Sequence, residues 1–303
     1  MENNRQQLPV PPGFRDLLRF FFGGPKERWP KRVAGQPPRS AVPAGDVILY
    51  IGHASFLLSL GGRNILLDPV FGKAGPFGRF GPARHLPPGI AREKLPRIDA
   101  VLQSHDHYDH LEVPTLRYLQ RRDGPLLLLP EKCARALPRT LRGRARELAW
   151  WESTTVGDLA IQALPARHFS GRGLFDRNRS RWCGFLIEQG ATRIFFAGDT
   201  AYGDHFSVIG ERCPGITHAL LPIGAYRPEW MMHGVHIGPP EALRAFLDLG
   251  AARCIACHHR TFHLSWEGQE TPERELLDAA AELGLPPERV LSPREGEWLP
   301  LTP

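Results

Sequence analysis

Ser104-His105-Asp106-His107-Tyr108-Asp109-His110-Leu111 follows directly on the apolar run Ala100-Val101-Leu102-Gln103. Three imidazoles and two carboxylates fall within six positions, at the end of what reads as a short buried strand. Loops that leave a rigid scaffold are where chemistry is usually placed. Imidazole suits zinc, iron and related ions, and carboxylates add the negative charge needed to hold two of them. His105 and His107 stand two apart, so an extended loop points both the same way. Asp109 and His110 fall at the start of the next helix, from where they can reach a second metal.

Three more places repeat this strand-then-ligand pattern. Ala166-Arg167-His168-Phe169-Ser170 puts a His after a strand at 159–164, and Phe195-Phe196-Ala197-Gly198-Asp199-Thr200 puts an Asp at the end of another. Ala256-Cys257-His258-His259-Arg260-Thr261-Phe262 puts His just past a third. A single His after a strand is most often a hydrogen-bonded surface residue. Clustered imidazoles and carboxylates need partners, and two metal ions would supply them for the whole set.

Around these positions the pattern reads as strands at 47–51, 55–60, 64–67, 100–103, 126–129, 159–164, 184–188, 193–197, 219–222 and 255–257. Helices are expected at 113–120, 131–137, 239–249 and 272–283. Gly61-Gly62 and Gln189-Gly190 mark hairpin turns, and Pro239 and Gly250 start and stop a helix. Strands alternating with helices point to an α/β core. Each half of residues 46–303 runs strands then helices, as in one domain of two packed sheets flanked by helices.

The set His-x-His-x-Asp-His followed by single His, Asp and His positions resembles the metallo-β-lactamase superfamily. Within it, the chain is similar to bacterial relatives of N-acylphosphatidylethanolamine-hydrolysing phospholipase D. The matching segments are Gly52-His53-Ala54-Ser55, Leu67-Asp68-Pro69, Ser104 to Leu111, Ala166 to Ser170, Gly198 to Tyr202, Pro222 to Tyr226 and Ala256 to Phe262, with Arg28-Trp29-Pro30-Lys31 ahead of them. The resemblance implies a four-layer αβ/βα sandwich with the metals at one edge. It implies that His105, His107 and His168 bind one metal, that Asp109, His110 and His258 bind the other, and that Asp199 bridges them. His259 would then face away. Two zinc ions are the expected cofactors; iron or manganese also suit these ligands. A hydroxide shared by two such ions attacks phosphorus or carbonyl carbon equally well. The implied reaction is therefore phosphodiester cleavage in an N-acylphosphatidylethanolamine-type phospholipid, with a lactonase or other carbonyl hydrolase as the alternative. Asp68 is a candidate for orienting a ligating His. Tyr108 is a candidate donor to a substrate oxygen, and His236, ahead of a helix, a candidate phosphate contact. His53 carries the same choice between phosphate contact and structural role.

The 303 residues are 42 % hydrophobic and 23 % charged, the proportions of a globular protein with a real core. The net charge of +6 suits an anionic substrate or membrane surface, but no nucleic-acid motif accompanies it, and no nucleic-acid partner is expected. Five cysteines include Cys254-Ile-Ala-Cys257, which could be a redox pair; inside an apolar run they read better as small buried hydrophobes. No window is apolar enough for a signal peptide or a spanning helix. The expectation is a cytoplasmic protein, at most peripheral on the inner face of the membrane. Residues 1–45 form a separate N-terminal arm, with an apolar cluster at Leu17, Leu18, Phe20, Phe21 and Phe22 followed by Lys26, Arg28, Lys31 and Arg32. Rings beside cations suit a lipid interface. The other expectation is that they pack on the body or, in a homodimer, on a second subunit.

Overall fold

The computed structural model describes residues 11–30, 43–173 and 175–301; Lys31 and Arg32 of the arm's basic run lie outside them. The first sheet begins with β1 (Val47–Gly52), β2 (Ser55–Leu60) and β3 (Arg63–Leu67), an antiparallel meander. It continues in parallel through β4 (Ala100–Leu102), β5 (Leu126–Pro130) and β6 (Ala145–Leu148). The second sheet repeats the plan. β7 (Ser153–Val156), β8 (Leu159–Leu164), β9 (Gly184–Gln189) and β10 (Thr192–Phe196) are antiparallel, and β11 (His218–Pro222), β12 (Arg253–Cys257) and β13 (Val290–Leu291) join in parallel. The chain then returns to the first sheet, where β14 (Trp298–Pro300) pairs antiparallel with β1. Each sheet has seven strands.

The helices are α1 (Phe14–Phe22), α2 (Val113–Arg122), α3 (Arg139–Arg142), α4 (His205–Arg212), α5 (Glu229–Met232), α6 (Pro239–Asp248) and α7 (Thr271–Glu282). Successive strand residues face opposite sides, and here both sides are apolar. Ile48 and Tyr50 of β1, Leu102 of β4, Phe196 of β10 and Ile255 of β12 enter the core between the sheets. Leu49, Ile51 and Val101 instead face α2 and α3 with Leu116, Leu119 and Leu141. Phe195, Leu221 and Cys254 face α4, α6 and α7 with Phe206, Phe246 and Leu276. The result is helix, sheet, sheet, helix: the expected four-layer sandwich. The five cysteines are free and buried, with Cys183 and Cys257 between the sheets, Cys213 and Cys254 in one outer core and Cys133 in the other.

Two local expectations are corrected. Asp109 and His110 lie in a turn, because the helix begins only at Val113, with Pro114 in its first turn. The helix expected at 131–137 is a 3-10 turn, Cys133–Ala136.

The arm docks on the body through one side. Phe20 is buried, stacks on Trp266 at 6.2 Å, and its carbonyl accepts a hydrogen bond from Trp266 Nε1 at 2.9 Å. Trp29 donates to Glu267 O at 2.9 Å and stacks on His263. Phe14, Leu18, Phe21 and Phe22 remain exposed, Phe22 by 85 %. The three adjacent rings therefore do not act alike.

Candidate metal centre

Each sheet delivers its polar residues at strand ends on one edge of the sandwich. From the first come His53 in the β1–β2 turn, Asp68 after β3, and His105, His107, Asp109 and His110 after β4. From the second come His168 after β8, Asp199 after β10, His236 after β11 and His258 after β12. The two sets meet because glycine lets the loops touch. Gly198 has φ +60°, and a Cβ there would lie 2.4 Å from Ser104 Cβ. Ser104 O also accepts a hydrogen bond from Cys183 N at 2.9 Å. On the other flank His258 N donates to His53 O at 2.8 Å, and within the second set a Cβ on Gly224 would lie 2.1 Å from His258 O.

Four ligand atoms from His105, His107, His168 and Asp199 lie within 4.8 Å of one another, and so do those of His53, Asp109, His110 and His258. His107 Nδ1 is 2.9 Å from His105 Nε2 and 3.2 Å from His168 Nε2. Asp199 stands between the groups. Its Oδ2 is 3.7 Å from His168 Nε2, 3.8 Å from His105 Nε2 and 3.1 Å from His110 Nε2, and its Oδ1 is 3.1 Å from His258 Nε2. Asp109 Oδ2 is 3.7 Å from His110 Nε2, 3.6 Å from His258 Nε2 and 3.1 Å from His53 Nε2.

Hydrogen bonds behind the rings decide which nitrogen faces inward. His110 Nδ1 donates to Asp68 Oδ2 at 2.7 Å, and His168 Nδ1 donates to Val235 O at 2.8 Å. Ser104 Oγ spends its proton on Asp68 Oδ2 at 2.5 Å, so it accepts from His105 Nδ1 at 2.9 Å. All three imidazoles are thereby held by Nδ1 with Nε2 aimed at the centre, the orientation a metal ligand requires. Asp68, fully buried, also accepts from Gln103 Nε2 and Ser104 N. His53, Asp68 and His258 all have positive φ, a conformation costly for non-glycine residues and concentrated at functional sites.

Burial pushes the imidazoles of His105 and His168 well below the usual range. Burial, joined by His258, takes His53 down to about 3, and burial takes His236 down to about 4. Burial also opposes charge on His110 and His258, but Asp199 and Asp109 together outweigh it, holding His110 well above the usual range and His258 at about 9. Asp199 in turn is held well below the carboxylate range by His110 and His258 despite burial. The cluster thus combines buried carboxylates with neutral rings at His53, His105, His168 and His236, and with two imidazoles, His110 and His258, whose charge the carboxylates favour. Among the described residues, His110 Nε2, Asp199 Oδ1 and His258 Nε2 are buried without a hydrogen-bond partner. Divalent ions fit this donor set: they supply the positive charge that the carboxylates lack and occupy lone pairs that otherwise face one another.

The sequence-derived residues do not all share the site. His236 Nδ1 is 3.9 Å from Asp199 Oδ2, and its ring lies beside those of His168 and His258. His259 instead stacks on Tyr50. Tyr108 also departs from expectation: its hydroxyl donates to Arg172 O at 3.1 Å, the Arg172 guanidinium covers its ring, and it lines a separate cavity. Residues that the sequence does not tie to the ligands complete the surroundings. A cavity of about 630 Å³ opens on His107, Asp109, Asp199 and His236. Its remaining walls include Leu17, Phe169, Trp230, Met231, Met232 and Val235, with Arg167 and Arg177 among them.

Residues 63–259 match the family model of the beta-lactamase superfamily domain. Over 257 residues the chain is 37 % identical to the mitochondrial N-acyl-phosphatidylethanolamine-hydrolyzing phospholipase D of Saccharomyces cerevisiae, covering 82 % of this chain and 54 % of that protein. It is 33 % identical to N-acyl-phosphatidylethanolamine-hydrolyzing phospholipase D 1 of Caenorhabditis elegans, covering 79 % and 72 %. The chain thus spans only about half the length of the yeast relative, and 63 % of mycobacterial proteins that it also matches. Among solved structures, Igni18, a metallo hydrolase of Ignicoccus hospitalis, superimposes with a TM-score of 0.62 at 21 % identity, over 84 % of this chain and 97 % of that one. Family match, fold and ligand geometry agree, and the chain belongs to the metallo-β-lactamase superfamily.

Proposed function

We propose that the chain is a phosphodiesterase that hydrolyses a phospholipid of the N-acylphosphatidylethanolamine type, giving a phosphomonoester and an alcohol. The observation that carries this reading is the composition of the 630 Å³ cavity: a metal-ligand cluster at its base, two arginines, and otherwise mostly apolar walls. A phosphate with long hydrocarbon attached matches all three. The names of the yeast and nematode relatives support the same substrate class.

In this reading His105, His107 and His168 would hold one zinc ion, Asp109, His110 and His258 would hold another, and Asp199 would serve both. Iron or manganese could take the same places. Bound there, the two ions lower the pKa of water enough to give a nucleophile at neutral pH and withdraw charge from phosphoryl oxygen. The chain's own residues do the positioning. Asp68, Ser104 and Val235 O keep three imidazoles in the ligating orientation. His236, held next to Asp199, contacts a phosphoryl oxygen. The apolar wall keeps the hydrocarbon in place. Water adds to phosphorus, the bond from phosphorus to the alcohol oxygen breaks, and the alcohol leaves with a proton.

The site's apolar wall is continuous with the arm. Leu17 of α1 and Trp230 of α5 line the cavity and are also partly exposed. Beside them stand exposed Phe14, Leu18, Phe21 and Phe22, with exposed Arg15, Arg19, Lys26 and Arg28. A surface of rings and cations suits an anionic bilayer, and we infer that the substrate enters from one here. Metal-loaded protein should release N-acylethanolamine from N-palmitoyl phosphatidylethanolamine in mixed vesicles and cleave bis(p-nitrophenyl) phosphate. Turnover of a lactone panel with neither phosphodiester cleaved would replace this reading with the carbonyl hydrolase.

A further inference from the structure

Arg177 is a half-buried guanidinium whose company in this fold differs from that of other inward-facing arginines. Arg172 donates to Asp106 O and Leu111 O, and Arg84 to Val70 O and Ile51 O. Arg260 pairs with Glu270 and Glu295. Arg177 forms no ion pair among the described residues, and its Nε is buried without a hydrogen-bond partner. The nearest acid in sequence, Asp176, is occupied by the backbone N–H groups of Arg172 and Gly173. The Arg177 guanidinium carbon lies over Phe169, 4.1 Å from the ring centre. Phe169 in turn packs at 4.4 Å on His107 and 4.9 Å on His168. One aromatic ring therefore separates this cation from two residues of the ligand cluster, and Arg177, Phe169 and His107 open on the same cavity.

A partly desolvated cation without a counter-charge is costly unless a ligand supplies one. The contact with Phe169 holds the guanidinium at the cavity wall without using its N–H donors, which suit a bidentate oxyanion. Arg167 lines the same cavity, with one contact to Tyr202 O at 3.3 Å.

We propose that Arg177, assisted by Arg167, binds the non-bridging oxygens of the phosphate ester and so sets the preference for anionic over uncharged substrates. The proposal rests on the phosphodiesterase reading for its ligand. It has a consequence for turnover. A phosphomonoester product carries more negative charge than the diester it came from, so the product should bind this arginine at least as well as the substrate and inhibit competitively.

The test uses metal-loaded full chain and dihexanoyl phosphatidic acid, with binding read by calorimetry and with KM and kcat read on bis(p-nitrophenyl) phosphate. Arg177→Gln should weaken binding of the phosphatidic acid by about tenfold or more, the size of one lost charge-assisted hydrogen bond. It should raise KM more than it lowers kcat, and it should relieve product inhibition. Arg177→Lys, which keeps the charge without the fork, should recover part of the affinity. If the glutamine variant does not fold, Arg177→Met keeps the apolar contact with Phe169 and takes its place. Equal binding by wild type and variant would overturn the proposal, as would a wild type that binds no phosphatidic acid. Binding lost on substitution in a protein that cleaves neither phosphodiester would uphold the anion site while removing the phosphodiesterase reading. Phosphodiester cleavage with KM unchanged by the substitution would do the reverse.

Discussion

The first sheet brings His105, His107, Asp109 and His110 to the centre on one loop, whereas the second brings His168, Asp199 and His258 from three separate strand ends. The backing differs as well. Behind the first-sheet loop stands Asp68, a side chain that organises Gln103, Ser104 and His110 at once. Behind His168 stands a backbone carbonyl, and His258 Nδ1 is buried without a partner. A loop can be aligned by one buried carboxylate. Ligands on separate strands are aligned by the sheet itself, since β10, β11 and β12 are locked in parallel register.

The residue common to both halves should give the largest effect. Asp199→Asn removes the shared charge and should lower kcat/KM on the order of a thousandfold or more, above what a single oxyanion donor contributes, with an unchanged far-UV circular dichroism spectrum. Asp68→Asn tests whether the loop depends on its buttress. It should weaken metal binding by about 10–100-fold and cost about 3–5 kcal/mol in chemical denaturation, because buried donors lose their charged acceptor. A value near zero would mean that the loop holds itself.

A smaller effect should separate the two metal positions proposed above. The group around His258 has one imidazole less well supported, so a competing chelator should remove metal in two steps, and His258→Ala should abolish the weaker one while the tighter persists in elemental analysis. Simultaneous loss would show the halves to be thermodynamically inseparable. The smallest effect on stability belongs to the arm. Phe21→Ser with Phe22→Ser should change unfolding free energy by about 0.5 kcal/mol or less yet weaken sedimentation with anionic vesicles. Phe20→Ala, which empties the contact with Trp266, should cost more stability than that pair. A large loss of stability from the exposed pair would assign those rings to a protein interface instead.

The difference between the halves also explains what could be read in advance. The loop ligands are contiguous, so their chemistry is visible as a string, and Asp68 was legible because it ends an apolar strand. His168, Asp199 and His258 acquired meaning only as an ordered series. The central strands, buried on both faces, stood out as apolar runs. Strands β6 and β14 did not: β6 reads Ala-Arg-Glu-Leu with its middle exposed, and β14 is three residues long and owes its state to pairing with β1. α4 was missed too, although Phe206 and Ile209 bury one side of it. The cavity's Trp230, Met231 and Met232 sit on a four-residue helix, and nothing local ties them to ligands that follow other strands. Tyr108 misled because neighbours in sequence need not face the same side of a loop.

All five thiols are buried, and they are distributed over the three cores rather than gathered in one. The chain therefore carries its own set of opening sensors. A thiol reagent can label Cys133 only when the layer under α2 and α3 parts, Cys213 and Cys254 only when the opposite layer does, and Cys183 and Cys257 only when the sheets separate. Ions held as proposed, between the ends of both sheets, would bind the closed form alone and so slow the last of these events most. Site-resolved labelling with and without metal would map which layer opens first, with no foreign probe attached.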